Sequence, residues 1–289
     1  MQELRFELAH LSLSGLAMGS PDKPLILALH GWLDNAASFV PLSAYLDDYY
    51  VVAIDLAGHG HSAHRAAGNH YHQVDFVQDL HELVESQGWQ RFILLGHSMG
   101  GIIASLYASC FSEKISHLIT IEAFGPLTQD ADTSARQLRE SIESRLKVNR
   151  SVARHPTSLA QTIDARIKAG DISREAATLL VERNVGQQDG QYYFKTDRRL
   201  RTVSSLRFTL PQAEAFMRHI RCPVLVIIGD KGFISLREAL TERRSWLAHL
   251  NTAECAGHHH LHMDNPADVA QAIIDFLSQN AAALPLQSN

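Results

Sequence analysis

The run Phe92-Ile93-Leu94-Leu95, followed by Gly96-His97-Ser98-Met99-Gly100 and then by the helix-like segment 102–110, decides how this chain is read. A G-x-S-x-G pentapeptide recurs by chance, but set between an apolar strand and a helix it describes a nucleophile elbow. Glycines on both sides of the serine let the backbone reverse without side-chain clashes. The Ser98 hydroxyl is then presented at the edge of a sheet on a strained residue. The helix that follows turns backbone N–H groups and the positive end of its dipole toward any negative charge formed there. An ordinary Gly/Ser turn is the plainer alternative, and it leaves the strand–turn–helix setting unexplained.

Outward from the elbow, short apolar runs alternate with helix-like segments. Strands are expected at 4–8, 11–17, 25–30, 50–55, 92–95, 115–122 and 224–229, with a short one near Thr252. Several are apolar throughout, as central parallel strands covered on both faces must be. The first two alternate better and suit an antiparallel edge. Segments 38–46, 71–86, 102–110, 235–249 and 267–277 are long enough to cover the sheet. This rhythm predicts an α/β fold with a mostly parallel, twisted, eight-stranded sheet flanked by helices.

The rhythm breaks between about Pro126 and Arg221. Leu138, Ile142 and Leu146 recur every four residues, as do Leu159, Ile163 and Ile167, which marks amphipathic helices. Asp189-Gly190, lying between Val185 and the 192–194 segment, fits a tight hairpin turn. The expectation is a core formed by 1–125 and 222–289, with 126–221 inserted as a mainly helical cap. Charge divides along the same line. The insert carries 17 Lys and Arg against 11 Asp and Glu, whereas the whole chain has a net charge of −5. The Ala-rich tail after Gln279 is expected to fray.

With 289 residues, 45% of them hydrophobic, the chain can bury one large core. No apolar run approaches a bilayer span, and Met1-Gln2-Glu3-Leu4-Arg5 lacks the layout of a secretory leader. Cys110, Cys222 and Cys255 form neither a C-x-x-C pair nor an even set. These features point to a soluble cytoplasmic protein acting on a small molecule, with no membrane or nucleic-acid partner. They leave room for a homodimer.

Serine is a poor nucleophile unless a base lies within hydrogen-bond reach and an acid orients that base. The histidine-rich stretch Gly257-His258-His259-His260-Leu261-His262-Met263-Asp264-Asn265-Pro266 follows the last expected strand and supplies the base. A metal site is the competing reading of four crowded histidines. Adjacent histidines point apart, however, and no Cys or Glu completes a ligand set there, so no metal is expected.

Taken with His30-Gly31-Trp32 and Asp55-Leu56-Ala57-Gly58-His59-Gly60-His61-Ser62, these motifs resemble, in order and over nearly the whole chain, the α/β-hydrolase fold superfamily. Serine hydrolase-like proteins and related bacterial hydrolases are the nearest in character, and the insert matches only loosely. The resemblance implies that the base stands five residues before the acid of an acid-x-Pro triplet. Asp264-Asn265-Pro266 fits, which selects His259, with His258 as the alternative. Related hydrolases usually carry an Asp three residues after the glycine ending the seventh strand. Here that position is Gly232, so the usual seat of the acid is vacant. Glu122, closing the sixth strand, and Asp230, next to Gly229, are the replacements. Haloalkane dehalogenases place their acid after the sixth strand, which favours Glu122 slightly.

Backbone N–H groups of Trp32 and Met99 suit an oxyanion hole. The expected activity is that of a carboxylesterase-like serine hydrolase, working through an acyl-enzyme and needing no cofactor. Serine rather than aspartate at position 98 disfavours epoxide hydrolase or dehalogenase chemistry. No dinucleotide or P-loop glycine spacing is present. Perhydrolysis, C–C bond cleavage and a non-catalytic binding scaffold remain as alternatives, because the fold does not fix the reaction. The positive charge of the insert motivates a further expectation that the substrate is anionic.

Overall fold

A computed structural model describes residues 1–153 and 155–281. The tail expected to fray lies, from residue 282, outside the described residues. Ten strands are present: β1 (Gln2–Glu7), β2 (Ser12–Met18), β3 (Leu25–Leu29), β4 (Tyr50–Asp55), β5 (Phe92–His97), β6 (Ile115–Ile121), β7 (Val185–Gln188), β8 (Gln191–Phe194), β9 (Val224–Gly229) and β10 (Leu250–Cys255). Eight form one sheet in the order β1-β2-β4-β3-β5-β6-β9-β10. β1, β2 and β4 pair antiparallel, and every later neighbour pairs parallel.

The helices are α1 (Val40–Ser43), α2 (Gln73–Ser86), α3 (Met99–Cys110), α4 (Ser134–Arg150), α5 (Leu159–Gly170), α6 (Arg174–Asn184), α7 (Leu210–Arg218), α8 (Ile234–Arg243), α9 (Leu261–Asp264) and α10 (Pro266–Gln279). None is long and apolar enough to cross a membrane among the described residues. The central strands β3, β5, β6 and β9 are buried at every residue, which explains their unbroken apolar sequence. Successive side chains feed opposite cores. Leu27, Leu29 and Leu94 join Phe76, Leu80, Ile103 and Tyr107 on one face. Ile26, Ala28, Ile93 and Leu95 join Leu42, Ile273 and Phe276 on the other. Each such side chain, fully buried, contributes about 1.5–3 kcal/mol.

Helices α4 to α7 and the β7–β8 hairpin lie between β6 and β9 in the chain. Asp189 and Gly190 take φ of 50° and 79° at the hairpin turn, the left-handed pair that a two-residue loop requires. Apolar and ionic contacts both seat the insert on the core. Ile172, Ala176, Ala177 and Leu180 pack against Met263 of α9. Arg183 of α6 reaches the Asp55 carboxylate at 2.7 Å and Glu3 at 2.9 Å. The stripe of Leu138, Ile142 and Leu146 falls on a helix as expected, α4, and stays about half exposed. Only Ser141 of α4 is buried, because the helix lies across the outside of the insert.

Candidate active site

The hydrogen-bond ladder of the sheet carries two polar residues to its C-terminal edge side by side. Ser98 N–H donates to Ile121 O at 2.9 Å, and Glu122 N–H donates to Ile227 O at 2.9 Å. Both leave their strands through the left-handed region, Ser98 at φ 51° and Glu122 at φ 52°. Positive φ is costly for residues with a Cβ, and such strain gathers where side chains must be aimed. Glycine is obligatory around Ser98 for a spatial reason. A Cβ on Gly96 would strike the Gly100 carbonyl, and one on Gly100 would strike Leu29 O.

Ser98 caps the N-terminus of α3 and lines a cavity of about 630 Å³ together with His259, Trp32, His97 and Phe233. His259 Nδ1 lies 3.2 Å from Glu122 Oε2. A carboxylate can only accept, so this contact places the proton on Nδ1 and leaves Nε2 with a lone pair. Glu122 is buried and also receives the Gly229 N–H at 2.8 Å and the Phe233 N–H at 3.3 Å. Three donors thus hold its carboxylate. The same geometry accounts for the vacant seat at Gly232, because a Cβ there would collide with Glu122 Oε1.

Asp230 takes a different position. It is exposed, accepts the Gly257 N–H at 2.7 Å, and has its carboxyl pKa lowered by that bond. His258 is also exposed. Among the described residues, the N–H groups of Trp32 and Met99 have no protein acceptor, and Met99 is the first residue of α3. The Trp32 indole donates to Leu200 O at 2.8 Å, fastening the loop after β3 to the insert.

The cavity lining also holds a polar cluster that motif spacing did not reveal. His97 Nε2 contacts the His259 carbonyl oxygen at 2.9 Å and ties the histidine loop to the elbow. Burial, reinforced by the surrounding imidazoles, holds the His97 pKa well below its ordinary value and keeps the ring neutral. Nε2–H therefore donates in that contact. Asp34 Oδ2 lies 3.1 Å from His260 Nε2, and Asp34 Oδ1 receives Arg166 at 2.7 Å. Burial alone would raise the Asp34 pKa. The His260 hydrogen bond and the Arg166 charge outweigh it and hold the carboxyl well below its usual range.

Asp34, His97 and His260 offer ligand atoms within 4.8 Å of one another, so a carboxylate does join the histidines. It comes from the loop after β3, not from the histidine loop. The Arg166 guanidinium stands 3.1 Å from His260 Nε2 and meets the carboxylate charge. A cation in that position disfavours a second one. Arg166 lies 132 residues from Asp34, and no local pattern joins them.

A strained serine, an imidazole and a buried carboxylate around one cavity at the C-terminal edge of a mostly parallel sheet define an α/β-hydrolase site. The chain belongs to the α/β hydrolase fold family, which it matches over residues 24–266. It is similar to Serine hydrolase-like protein 2 of Homo sapiens, with 31% identity over 307 residues covering 99% of this chain and 97% of that protein. A hypothetical protein from Pseudomonas aeruginosa PAO1 has a solved structure with 37% identity and a TM-score of 0.90, covering 96% of this chain and 99% of that one. The thioesterase domain from the curacin biosynthetic pathway gives 26% identity and a TM-score of 0.84, covering 95% of this chain and 99% of that one. These relatives place the chain among hydrolases.

Proposed function

We propose that the protein is a serine hydrolase cleaving an ester or thioester through an acyl-enzyme. The observation that carries this reading is the 3.2 Å contact between His259 Nδ1 and Glu122 Oε2, beside the cavity that Ser98 also lines. Ser98 Oγ attacks the acyl carbon while its proton passes to His259 Nε2. The Trp32 and Met99 N–H groups receive the charge that builds on the acyl oxygen. Collapse expels the alcohol or thiol, which takes that proton. Water then gives a proton to His259 and attacks the acyl-enzyme, releasing the acid and restoring Ser98. Glu122 fixes the tautomer of His259 and stabilises the imidazolium formed in each step.

Thioesters are included because one similar structure is a thioesterase domain. The test uses a serine-directed fluorophosphonate and a panel of short-chain acyl esters and thioesters. Wild-type protein is expected to label and to turn over, and Ser98→Ala to do neither. Glu122→Gln is expected to lower kcat by about 10³–10⁴-fold, with Asp230→Asn within a few-fold of wild type. A wild-type protein that folds but neither labels nor hydrolyses would overturn the reading.

A further inference from the structure

The arginines of the insert differ sharply in what they hold. Arg166 is committed to Asp34, Arg183 to Asp55 and Glu3, and Arg199 to Asp197 and to backbone carbonyls. Arg198 donates to the carbonyls of Val148 and Ser151. Of the two arginines that line the Ser98 cavity, Arg166 and Arg201, the second is the uncommitted one. It lines the Ser98 cavity, is exposed, and makes no side-chain hydrogen bond or ion pair among the described residues.

Its backbone is nonetheless fixed. It ends the short 3-10 turn Arg198–Arg201, whose start is capped by the Asp197 side chain. The carbonyl of the Leu200–Arg201 peptide accepts the Trp32 indole, so Arg201 is mounted beside the residue whose N–H faces the acyl oxygen. A second cation on the lining, Lys231, follows Asp230, whose carboxylate offsets part of its charge. The carboxylates on the same lining are Asp34, already neutralised by Arg166, and Asp171 at the end of α5. The same lining carries the apolar side chains Leu33, Ala165, Val181, Phe194 and Phe233.

We infer that the substrate carries an anionic group, a carboxylate or a phosphate, at the far end of a short apolar segment, and that Arg201 receives it. This rests on the hydrolytic reading of the same cavity. A guanidinium offers a fork of donors that matches both anions, and an unpaired one pays no cost of breaking an existing contact before it binds. Apolar side chains on the shared lining lower the local dielectric and strengthen the attraction. Lys231, screened by Asp230, contributes less.

The test measures binding calorimetrically to the full chain carrying Ser98→Ala, so that no turnover is needed. Three probes of similar length are compared at low salt: butyl methyl glutarate, butyl hydrogen glutarate and butyl 4-(phosphonooxy)butanoate. One or both anionic probes are expected to bind about ten- to a hundredfold more tightly than the neutral diester, the range of a charge-assisted hydrogen bond. Adding Arg201→Gln is expected to remove that advantage and leave the neutral probe within twofold. Arg201→Lys is expected to restore part of it, and Lys231→Gln to cost no more than about threefold. Equal binding of neutral and charged probes, absence of binding by all three, or an advantage that survives Arg201→Gln overturns the inference. Fluorophosphonate labelling of the unmodified chain reports on the hydrolytic reading separately. An unlabelled protein with an Arg201-dependent anion preference sinks that reading and keeps this one.

Discussion

Gly232 and Glu122 compete for one volume, and a single chain cannot report that competition. The motifs named Ser98, Trp32 and Met99 from local context and His259 from its distance to Asp264-Asn265-Pro266. The structure brings all four to one end of the sheet. The acid stayed open between Glu122 and Asp230; Glu122, the acid of the proposed mechanism, fills the space a Cβ would need at position 232, which a linear sequence does not display. Gly232→Ala should therefore displace the Glu122 carboxylate and lower kcat by at least about tenfold with little change in the folding midpoint, a split that steady-state kinetics and thermal melts resolve together. The reverse experiment moves the acid. Glu122→Ala with Gly232→Asp should recover part of the turnover that Glu122→Ala loses, and a double variant no faster than the single one would count against a shared volume. Asp34, Arg166 and His97 were illegible for a different reason, since their contacts join loops more than sixty residues apart and leave no periodic trace.

Strands and covering helices were legible because burial on two faces imposes apolar runs and burial on one imposes a stripe. Helix α10 shows the second case, with Val269, Ala270, Ile273, Phe276 and Leu277 inward. The same rule found α4, whose stripe at Leu138, Ile142 and Leu146 is half exposed. Periodicity reports an amphipathic helix, but not whether a neighbour covers it. Besides the apolar packing on Met263, a polar cluster fastens the insert. Arg183 of α6 is buried against Asp55, itself wholly buried at the end of β4, with Glu3 of β1 completing the cluster. Removing the guanidinium strands the Asp55 charge away from water. Arg183→Gln should thus cost about 3–5 kcal/mol of stability, read from urea denaturation, whereas a loss below about 1 kcal/mol would mean that the cluster is solvated in the folded protein.

Over the molecule as a whole, histidine burial sets the response to acid. Burial pushes the pKa of both His59 and His262 down to about 3, and it lowers those of His30 and His97 as well. An unfolded chain takes up protons at these sites near pH 6.5, while the folded one does so only far below it. Stability is thus fully present above about pH 6.5 and is lost as pH falls toward the folded values. Asp34, held ionised in the fold, adds a loss of the same sign below its ordinary range. Urea midpoints should fall steeply from pH 7 to pH 4, and His262→Phe should soften that slope, since both ring nitrogens of His262 lack partners. A flat profile would contradict the burial of these rings. A last consequence concerns evolution. Ser98 and Glu122 directly follow the adjoining strands β5 and β6, and both precede the inserted segment 126–221 in the chain. Lineages could lengthen, shorten or replace that segment without disturbing the spacing of this pair, and only the histidine loop must be re-aligned downstream. Such an arrangement would let selectivity diversify while the proposed nucleophile and orienting acid stay put, and it makes the segment a natural cassette for building chimaeras.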